Sequence, residues 1–464
     1  MPNEFPKEIL KSCDIRGIYP KPLGDDQAYL IGQAVGTLLK SLPDRNIKAV
    51  VGGDIRASTP PLRKNLILGL KESGMKVYDA GQASTPLLAF ATRFLKAGAG
   101  LIVTASHNPP EYNGVKFFLS SGPAPSSWIE KVYEIIATGP FKRGAGIVEP
   151  KDFVGEYRNA IVQGMKQSLR SVKLVVDAGN GMAALTVPPV LDAMGCRYAL
   201  MNGRMDGQFP GRGADSSQPA GLRKLAEKVV HDKADLGLSF DGDADRVSFA
   251  DGKGRLVPND FILGLLAEHF LPRAKAPKVV YDAKCSDWVD ARVRAAGGQP
   301  LMERAGHSFI YSRMQREKAL LGGEASGHFF IPGQFPGDAL YTALVLLGIL
   351  KERNASLALL FDSYPERVST HDVKIEMTSE ALPGLYEDIE SKARAMGGEI
   401  STVDGVRAVF KEGWGILRAS VTEPVLSCRF EAPNRKKLTA LVGELLKDHP
   451  LILEKVMQRI DKDV

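Results

Sequence analysis

Apolar residues in this chain come in short runs that alternate with amphipathic stretches. After Ile47 the run 49–51 reads as a buried strand, 62–73 as a helix, 75–78 as a strand, 85–96 as a helix and Ala99–Val103 as a strand. Alternation of this kind builds βαβ units on a mainly parallel sheet. A second round opens on 172–177, carries helices at Ala183–Met194 and 221–231, and closes on the strand 235–240. A third opens on 279–282, carries helices at 287–296 and 308–317, and closes on 319–321.

Each round begins with a Val-Val strand that ends at or near an aspartate: Asp54, Asp177 and Asp282. Each ends in a strand followed by a polar loop: TASHNP from Thr104, DGDADR from Asp241 and GEASGH from Gly323. Three diverged copies of one α/β unit are inferred, about 100 to 125 residues apart, which is ordinary domain size. Copies packed around one centre would bring the three loops to one cleft. After Tyr364 the texture changes: 373–376 alternates, 379–396 looks helical, and Val406–Phe410, 415–421 and 426–430 look like strands before a final helix. Strands in succession predict an α+β fourth domain with an antiparallel sheet. The expected domains are 1–152, 153–254, 255–368 and 369–464.

Composition changes this picture little. The 464 residues exceed the size of a single core, in line with several domains. A net charge of +6 without blocks of like charge gives no sign of nucleic acid or of a membrane surface as partner. The four cysteines form no CxxC pair, which argues against zinc and disulfides and for a reducing compartment. The opening MPNEFPKEIL has no apolar core of a signal peptide, and the most apolar helix candidate, 338–350, is too short to span a bilayer. A cytoplasmic protein is expected.

The loops carry the chemistry. Ser106 follows a buried strand, at the sheet edge where open α/β proteins place their sites, and Pro109 and Pro110 bar a helix from starting at once. A tight, exposed turn is expected. Asp241, Asp243 and Asp245 offer three carboxylates at alternate positions with small spacers, which suits a hard cation such as Mg²⁺ or Ca²⁺. The loop is no EF-hand, because Arg246 stands where the glycine is needed and Gly252 where the glutamate is needed. Glu324, Ser326 and His328 suit hydrogen bonds to sugar hydroxyls. Arg418, Ser420 and Thr422 alternate near a strand end as a phosphate cradle would. No GxSxG elbow and no P-loop occurs, Gly179-Asn180-Gly181 lacks the acidic partner of a dinucleotide fingerprint, and His107, His307 and His328 are not spaced as metal ligands.

TASHNP, DGDADR, GEASGH and RASVTEP, in this order over most of the chain, resemble the phosphoserine, metal, sugar and phosphate loops of the α-D-phosphohexomutase superfamily, most closely its bacterial phosphomannomutase/phosphoglucomutase branch. The resemblance implies a heart-shaped fold of three related α/β domains plus a C-terminal α+β domain. It implies that Ser106 rests as a phosphoserine, with one Mg²⁺ held by Asp241, Asp243, Asp245 and a phosphoryl oxygen on Ser106. Matches at Asp14-Ile15-Arg16-Gly17, Asn113-Gly114-Val115-Lys116, Asp282-Ala283-Lys284 and Gly306-His307-Ser308 imply that Arg16, Lys116, Arg246, Lys284 and His307 line the site. The implied reaction interconverts hexose 1-phosphate and hexose 6-phosphate through a 1,6-bisphosphate, with glucose 1,6-bisphosphate as activator and a monomer as the working unit. His107 and Lys116 are the candidate bases.

By the same resemblance Glu324 and Ser326 read the sugar 3- and 4-hydroxyls, which glucose and mannose share. Departures from the branch are Val421 in place of asparagine, Ala305 before Gly306, and Cys13 before the DIRG motif. Thr422-Glu423-Pro424 is more typical of phosphoglucosamine mutases, whereas Ala325 stands where those enzymes carry glutamine. The alternatives are therefore phosphoglucosamine mutase and a non-catalytic sugar-phosphate binding protein.

Overall fold

The computed structural model describes residues 5–44, 46–165, 167–333, 336–420 and 425–463. The three Val-Val runs lie in Lys48–Gly53, Lys173–Asp177 and Lys278–Asp282, strands buried beyond their first residue. Such runs suit the middle of a parallel sheet, and each strand has a parallel neighbour on both sides. Lys48–Gly53 lies between Ala99–Val103 and Lys76–Gln82. Lys173–Asp177 lies between Leu236–Phe240 and Arg197–Met201, and Lys278–Asp282 between Leu321–Gly323 and Gln299–Glu303.

In every copy the closing strand then pairs antiparallel with the strand after it. Ala99–Val103 pairs with Tyr112–Leu119, Leu236–Phe240 with Val247–Asp251, and Leu321–Gly323 with Phe329–Phe330. The three polar loops lead out of these three parallel-to-antiparallel switches. The repeat is one of topology, and it extends to single hydrogen bonds. Oδ1 of Asp54, Asp177 and Asp282 accepts the N–H two residues on, from Arg56, Gly179 and Lys284, at 3.0, 2.9 and 3.0 Å. An aspartate that closes its own turn in this way fixes the exit from the strand.

The fourth sheet has six strands, all antiparallel. Because side chains alternate across a sheet, its two faces differ. Leu417, Leu426, Cys428 and Phe430 meet the helices Leu382–Ala395, Arg435–Leu446 and Pro450–Asp463. The other face docks on the third unit: Trp414 and Ile416 pack against Ala283, and Arg407 donates to the carbonyls of Ala283 and Cys285 at 2.6 and 2.8 Å.

One hydrophobic core runs from Val50 and Ile102 through Val176 and Leu238 to Tyr281 and Leu347. The apolar helix candidate is Ala339–Glu352, sunk in this core, and no helix among the described residues is long and apolar enough to cross a membrane. The four cysteines are buried free thiols. Some elements differ from expectation. Asp25–Ser41 is a helix with Ile31, Val35 and Leu38 inward, ahead of the first predicted strand. The helix expected at 379–396 runs Leu382–Ala395, with Pro383 in its first turn, where the missing N–H costs nothing. The single final helix is two, since Pro450 starts a new one. The strand expected at 415–421 is Gly413–Ala419; Val421, Thr422, Glu423 and Pro424 lie outside the described residues.

Candidate active site

Thr104 folds the first loop back on its own strand. Its hydroxyl donates to Asp54 Oδ2 at 2.7 Å and accepts the Ser106 N–H at 3.0 Å. Ser106 then takes a left-handed backbone, φ +52°, a conformation that non-glycine residues adopt at some cost. The expected exposed turn is instead fully buried, with Ser106 at 0% exposure. The cause is the second loop, whose Gly242 lies so close that a Cβ there would stand 2.5 Å from the Ser106 carbonyl oxygen. Ser106 Oγ donates to Asp241 Oδ2 at 2.8 Å.

Asp241, Asp243 and Asp245 are all buried, with ligand oxygens within 4.8 Å of one another. Ala244, at φ +63°, curls the loop between them. Asp241 Oδ1 accepts the N–H groups of Asp245 and Arg246, both at 3.1 Å. Lys116 reaches in from Tyr112–Leu119, the strand paired with the serine strand, and donates at 2.6 Å to Oδ2 of both Asp243 and Asp245. Thr85 donates its hydroxyl to Asp243 Oδ2 at 2.6 Å. The Oδ1 atoms of Asp243 and Asp245 have no hydrogen-bond partner among the described residues, although Arg246 Nε stands 4.0 Å from that of Asp245. Three buried carboxylates with unused hard oxygen donors fit a small divalent cation such as Mg²⁺.

Burial, then the charges of Asp243 and Asp245, push the Asp241 carboxyl far above the usual range. Burial pushes Asp245 the same way, but Lys116, His328 and Arg246 outweigh it and hold Asp245 below that range. Lys116 is raised, because the aspartates outweigh the burial that would lower it. Burial and the cations Arg246 and Arg16 keep His107 neutral. Perturbed groups of both signs gathered in one place mark a site under functional demand.

The other expected residues gather around this centre. Arg246 donates to His107 Nδ1 at 3.1 Å, and that nitrogen lies 3.5 Å from Ser106 Oγ. Arg16 pairs with Asp14 and donates to Asn108 Oδ1 at 2.6 Å, which ties it to the serine loop. His328 stands 3.7 Å from Asp245 and stacks on His307 with ring centres 5.7 Å apart. Burial, partly offset by Asp245, lowers His328 to about 4. Glu324 Oε1 accepts the Gly306 N–H at 2.8 Å, and its Oε2 and the Ser326 hydroxyl are buried with no hydrogen-bond partner among the described residues. Burial and then Asp282 raise Glu324 to about 7.

Two cations are held by aspartates that the sequence did not single out. Lys284 pairs with Asp372 at 2.9 Å, and Arg418 with Asp404, which also accepts the Ala305 N–H at 3.0 Å. Asp404 thus joins the fourth domain to the turn that carries His307. Ser420 is described and its N–H donates to the Val425 carbonyl at 2.8 Å; Thr422 lies outside the described residues. Thr104 and Asn108 stand in TASHNP but were given no role there, and Thr85, at the start of the helix Thr85–Phe94, was missed because no motif marks it. Arg56 was missed although it stands two residues from Asp54.

Comparison with known proteins bears on the family and the fold. The chain matches four families in succession, described as phosphoglucomutase/phosphomannomutase alpha/beta/alpha domain I over residues 7–143, domain II over 152–254, domain III over 258–368 and C-terminal domain over 373–447. It is 36% identical to a phosphomannomutase/phosphoglucomutase of Pseudomonas aeruginosa over 94% of either chain. It is also 36% identical to a phosphoglucomutase of Neisseria meningitidis, over 94% of this chain and 96% of the relative. A crystal structure of a phosphoglucomutase/phosphomannomutase family protein from Burkholderia thailandensis superposes with a TM-score of 0.86 at 33% identity, covering 96% of this chain and 98% of that one. The chain belongs to the phosphoglucomutase/phosphomannomutase family.

Proposed function

We propose that this family member is a cytoplasmic, monomeric phosphomannomutase/phosphoglucomutase that interconverts the 1- and 6-phosphates of mannose and glucose through a phosphorylated Ser106. The observation that carries the reading is the Ser106 hydroxyl, 2.8 Å from Asp241 in a buried triad whose other two carboxylates are bridged by Lys116. A mere sugar-phosphate binder has no use for a buried hydroxyl held in a left-handed turn beside three carboxylates.

Asp241, Asp243, Asp245 and a phosphoryl oxygen on Ser106 would hold one Mg²⁺, which when bound supplies neutralisation of the phosphoryl charge. Phosphoryl transfer asks of a protein mainly positioning and charge stabilisation. Arg246, Arg16 and Lys116 provide fixed positive charge around Ser106. The free hydroxyl of a hexose monophosphate attacks the phosphorus: its P–O bond forms, the bond to Ser106 Oγ breaks, and its proton passes to His107, which burial and nearby cations keep neutral, while Lys116 stays charged between its aspartates. The resulting 1,6-bisphosphate turns around and returns its other phosphate to Ser106, so added glucose 1,6-bisphosphate acts as an activator by recharging the serine. The distal phosphate falls to Arg418, Ser420 and Thr422, with Lys284 and His307 alongside. Glu324, Ser326 and His328 face the sugar hydroxyls, and a loop that ignores carbon 2 accepts mannose and glucose alike.

The test is conversion of mannose 1-phosphate, glucose 1-phosphate and glucosamine 1-phosphate, followed side by side by phosphorus NMR with Mg²⁺ and a trace of glucose 1,6-bisphosphate. Comparable conversion of the first two is expected. Conversion of the glucosamine phosphate alone would refute the substrate assignment, and no conversion of any would refute the reaction.

A further inference from the structure

Beneath Ser106 lies a buried arginine that the catalytic reading does not use. Arg56 has 1% of its surface exposed, and all five of its guanidinium N–H groups find acceptors. Nε donates to Asp54 Oδ2 at 3.0 Å. Nη2 donates to the carbonyls of Ser106 and Asn108 at 2.9 and 2.7 Å, and Nη1 to those of Pro109 and Tyr112. One side chain therefore holds three carbonyls of the loop that carries the nucleophile and a fourth at the first residue of the strand that follows it. Its face lies over the Phe209 ring, 5.0 Å from the centroid, so the same group presses the loop against the second domain, which supplies Asp241.

We propose that Arg56 is the positioning residue of the Ser106 loop. Its charge is already matched by Asp54, so its task is geometric. Ser106 sits in a left-handed turn that relaxes unless something holds its carbonyl, and that carbonyl is one of the four in the fork. The planar fork satisfies carbonyls on both terminal nitrogens at once. A lysine, with three donors and no plane, leaves at least one of these carbonyls bare and lets the loop rotate. Neither Arg56 nor Phe209 touches the sugar loop or Arg418 in any described contact, so substrate binding should survive the loss while phosphoryl transfer suffers.

This inference rests on the mutase reading, so wild type is measured beside the variants. The whole chain carrying Arg56→Lys or Phe209→Leu is melted to establish folding, then assayed for kcat and KM with glucose 1-phosphate and for single-turnover transfer from phosphorylated Ser106. The expected result for Arg56→Lys is a kcat and a transfer rate lowered at least 30-fold with KM within threefold. Phe209→Leu, which keeps every hydrogen bond but loosens the flank of the fork, lowers kcat about three- to tenfold at unchanged KM. An Arg56→Lys protein that folds and keeps kcat within threefold, or that loses activity through KM, overturns the proposal. If Arg56→Lys does not fold, Phe209→Leu decides by the same criterion, a kcat within twofold of wild type overturning it. A wild type that transfers no phosphoryl group refutes the mutase reading and this inference together.

Discussion

The contact between Gly242 and the serine loop gives an expectation that can be worked through. A methyl added at Gly242 would stand 2.5 Å from the Ser106 carbonyl oxygen, about 0.9 Å short of an ordinary 3.4 Å contact in a closely packed interior. Neither side can yield easily. The Gly242 N–H donates to the Ala214 carbonyl at 2.9 Å and its own carbonyl accepts the Met182 N–H at 2.9 Å, while Arg56 holds the Ser106 carbonyl at 2.9 Å. Behind the loop there is no room either, since even Gly181 could not carry a Cβ without meeting the Gly242 carbonyl oxygen at 2.5 Å. Gly242→Ala must therefore move Ser106 and Asp241 apart by much of an ångström. Misplacement on that scale costs phosphoryl transfer about 100-fold, or ~2.7 kcal/mol of barrier. The assay is kcat for glucose 1-phosphate isomerisation per folded molecule, with Gly155→Ala as control, because a Cβ there meets nothing within 4 Å. A Gly242→Ala enzyme within threefold of wild type would refute the claim that the two loops are set by direct contact.

Other expectations follow from the same structure. Burial lifts Asp338 to about 6 from 3.8, so the folded protein keeps a proton that the unfolded chain loses, and stability falls as pH rises through that window, by ~3 kcal/mol in all. Asp338→Asn retains a residue fit to cap Ala339–Glu352 and should gain melting temperature over wild type as pH rises from 4 to 7; a difference independent of pH would contradict this. Lys116→Met removes the ammonium that Asp243 and Asp245 share, at a cost of ~3–5 kcal/mol. Its melting temperature in chelator should drop, and Mg²⁺ should raise it more than that of wild type; equal Mg²⁺ shifts would count against a cation among these carboxylates. Arg418→Gln should raise KM for sugar phosphates about tenfold or more, as loss of a charge-assisted phosphate contact would, while phosphorylated Ser106 still forms. An unchanged KM would remove Arg418 from the phosphate site.

Much of the architecture was legible because it is written in short-range pattern. The Val-Val strands with their closing aspartates, and the polar loops after Ala99–Val103, Leu236–Phe240 and Leu321–Gly323, are local features that needed no knowledge of the fold. The alternation at Val373–Glu376 likewise predicted a strand with those bounds. The helix Asp25–Ser41 and the strand Ile15–Ile18 escaped because the repeat reading began at the first Val-Val run. The burial of Ser106 was not legible, because it comes from a loop 135 residues away. The counter-charges were invisible too: Asp372 opposes Lys284 only once the fourth domain docks on the third, and Asp404 meets Arg418 only once their neighbouring strands pair within the fourth. Arg56 lay closest to being found. Its spacing from Asp54 is that of a local ion pair, but the four carbonyls it holds lie 50 to 56 residues on in the chain.

The central claim is that Ser106 carries the phosphoryl group between sugars. Protein charged with radiolabelled phosphate from glucose 1,6-bisphosphate, freed of excess and mapped by peptide, should hold the label on Ser106, and Ser106→Ala should take up none. On mixing with unlabelled glucose 1-phosphate in a single turnover, the label should leave the protein and appear in hexose bisphosphate and then hexose monophosphate. Label found on another residue, label that stays on the protein while product forms, or full turnover by Ser106→Ala would contradict the account.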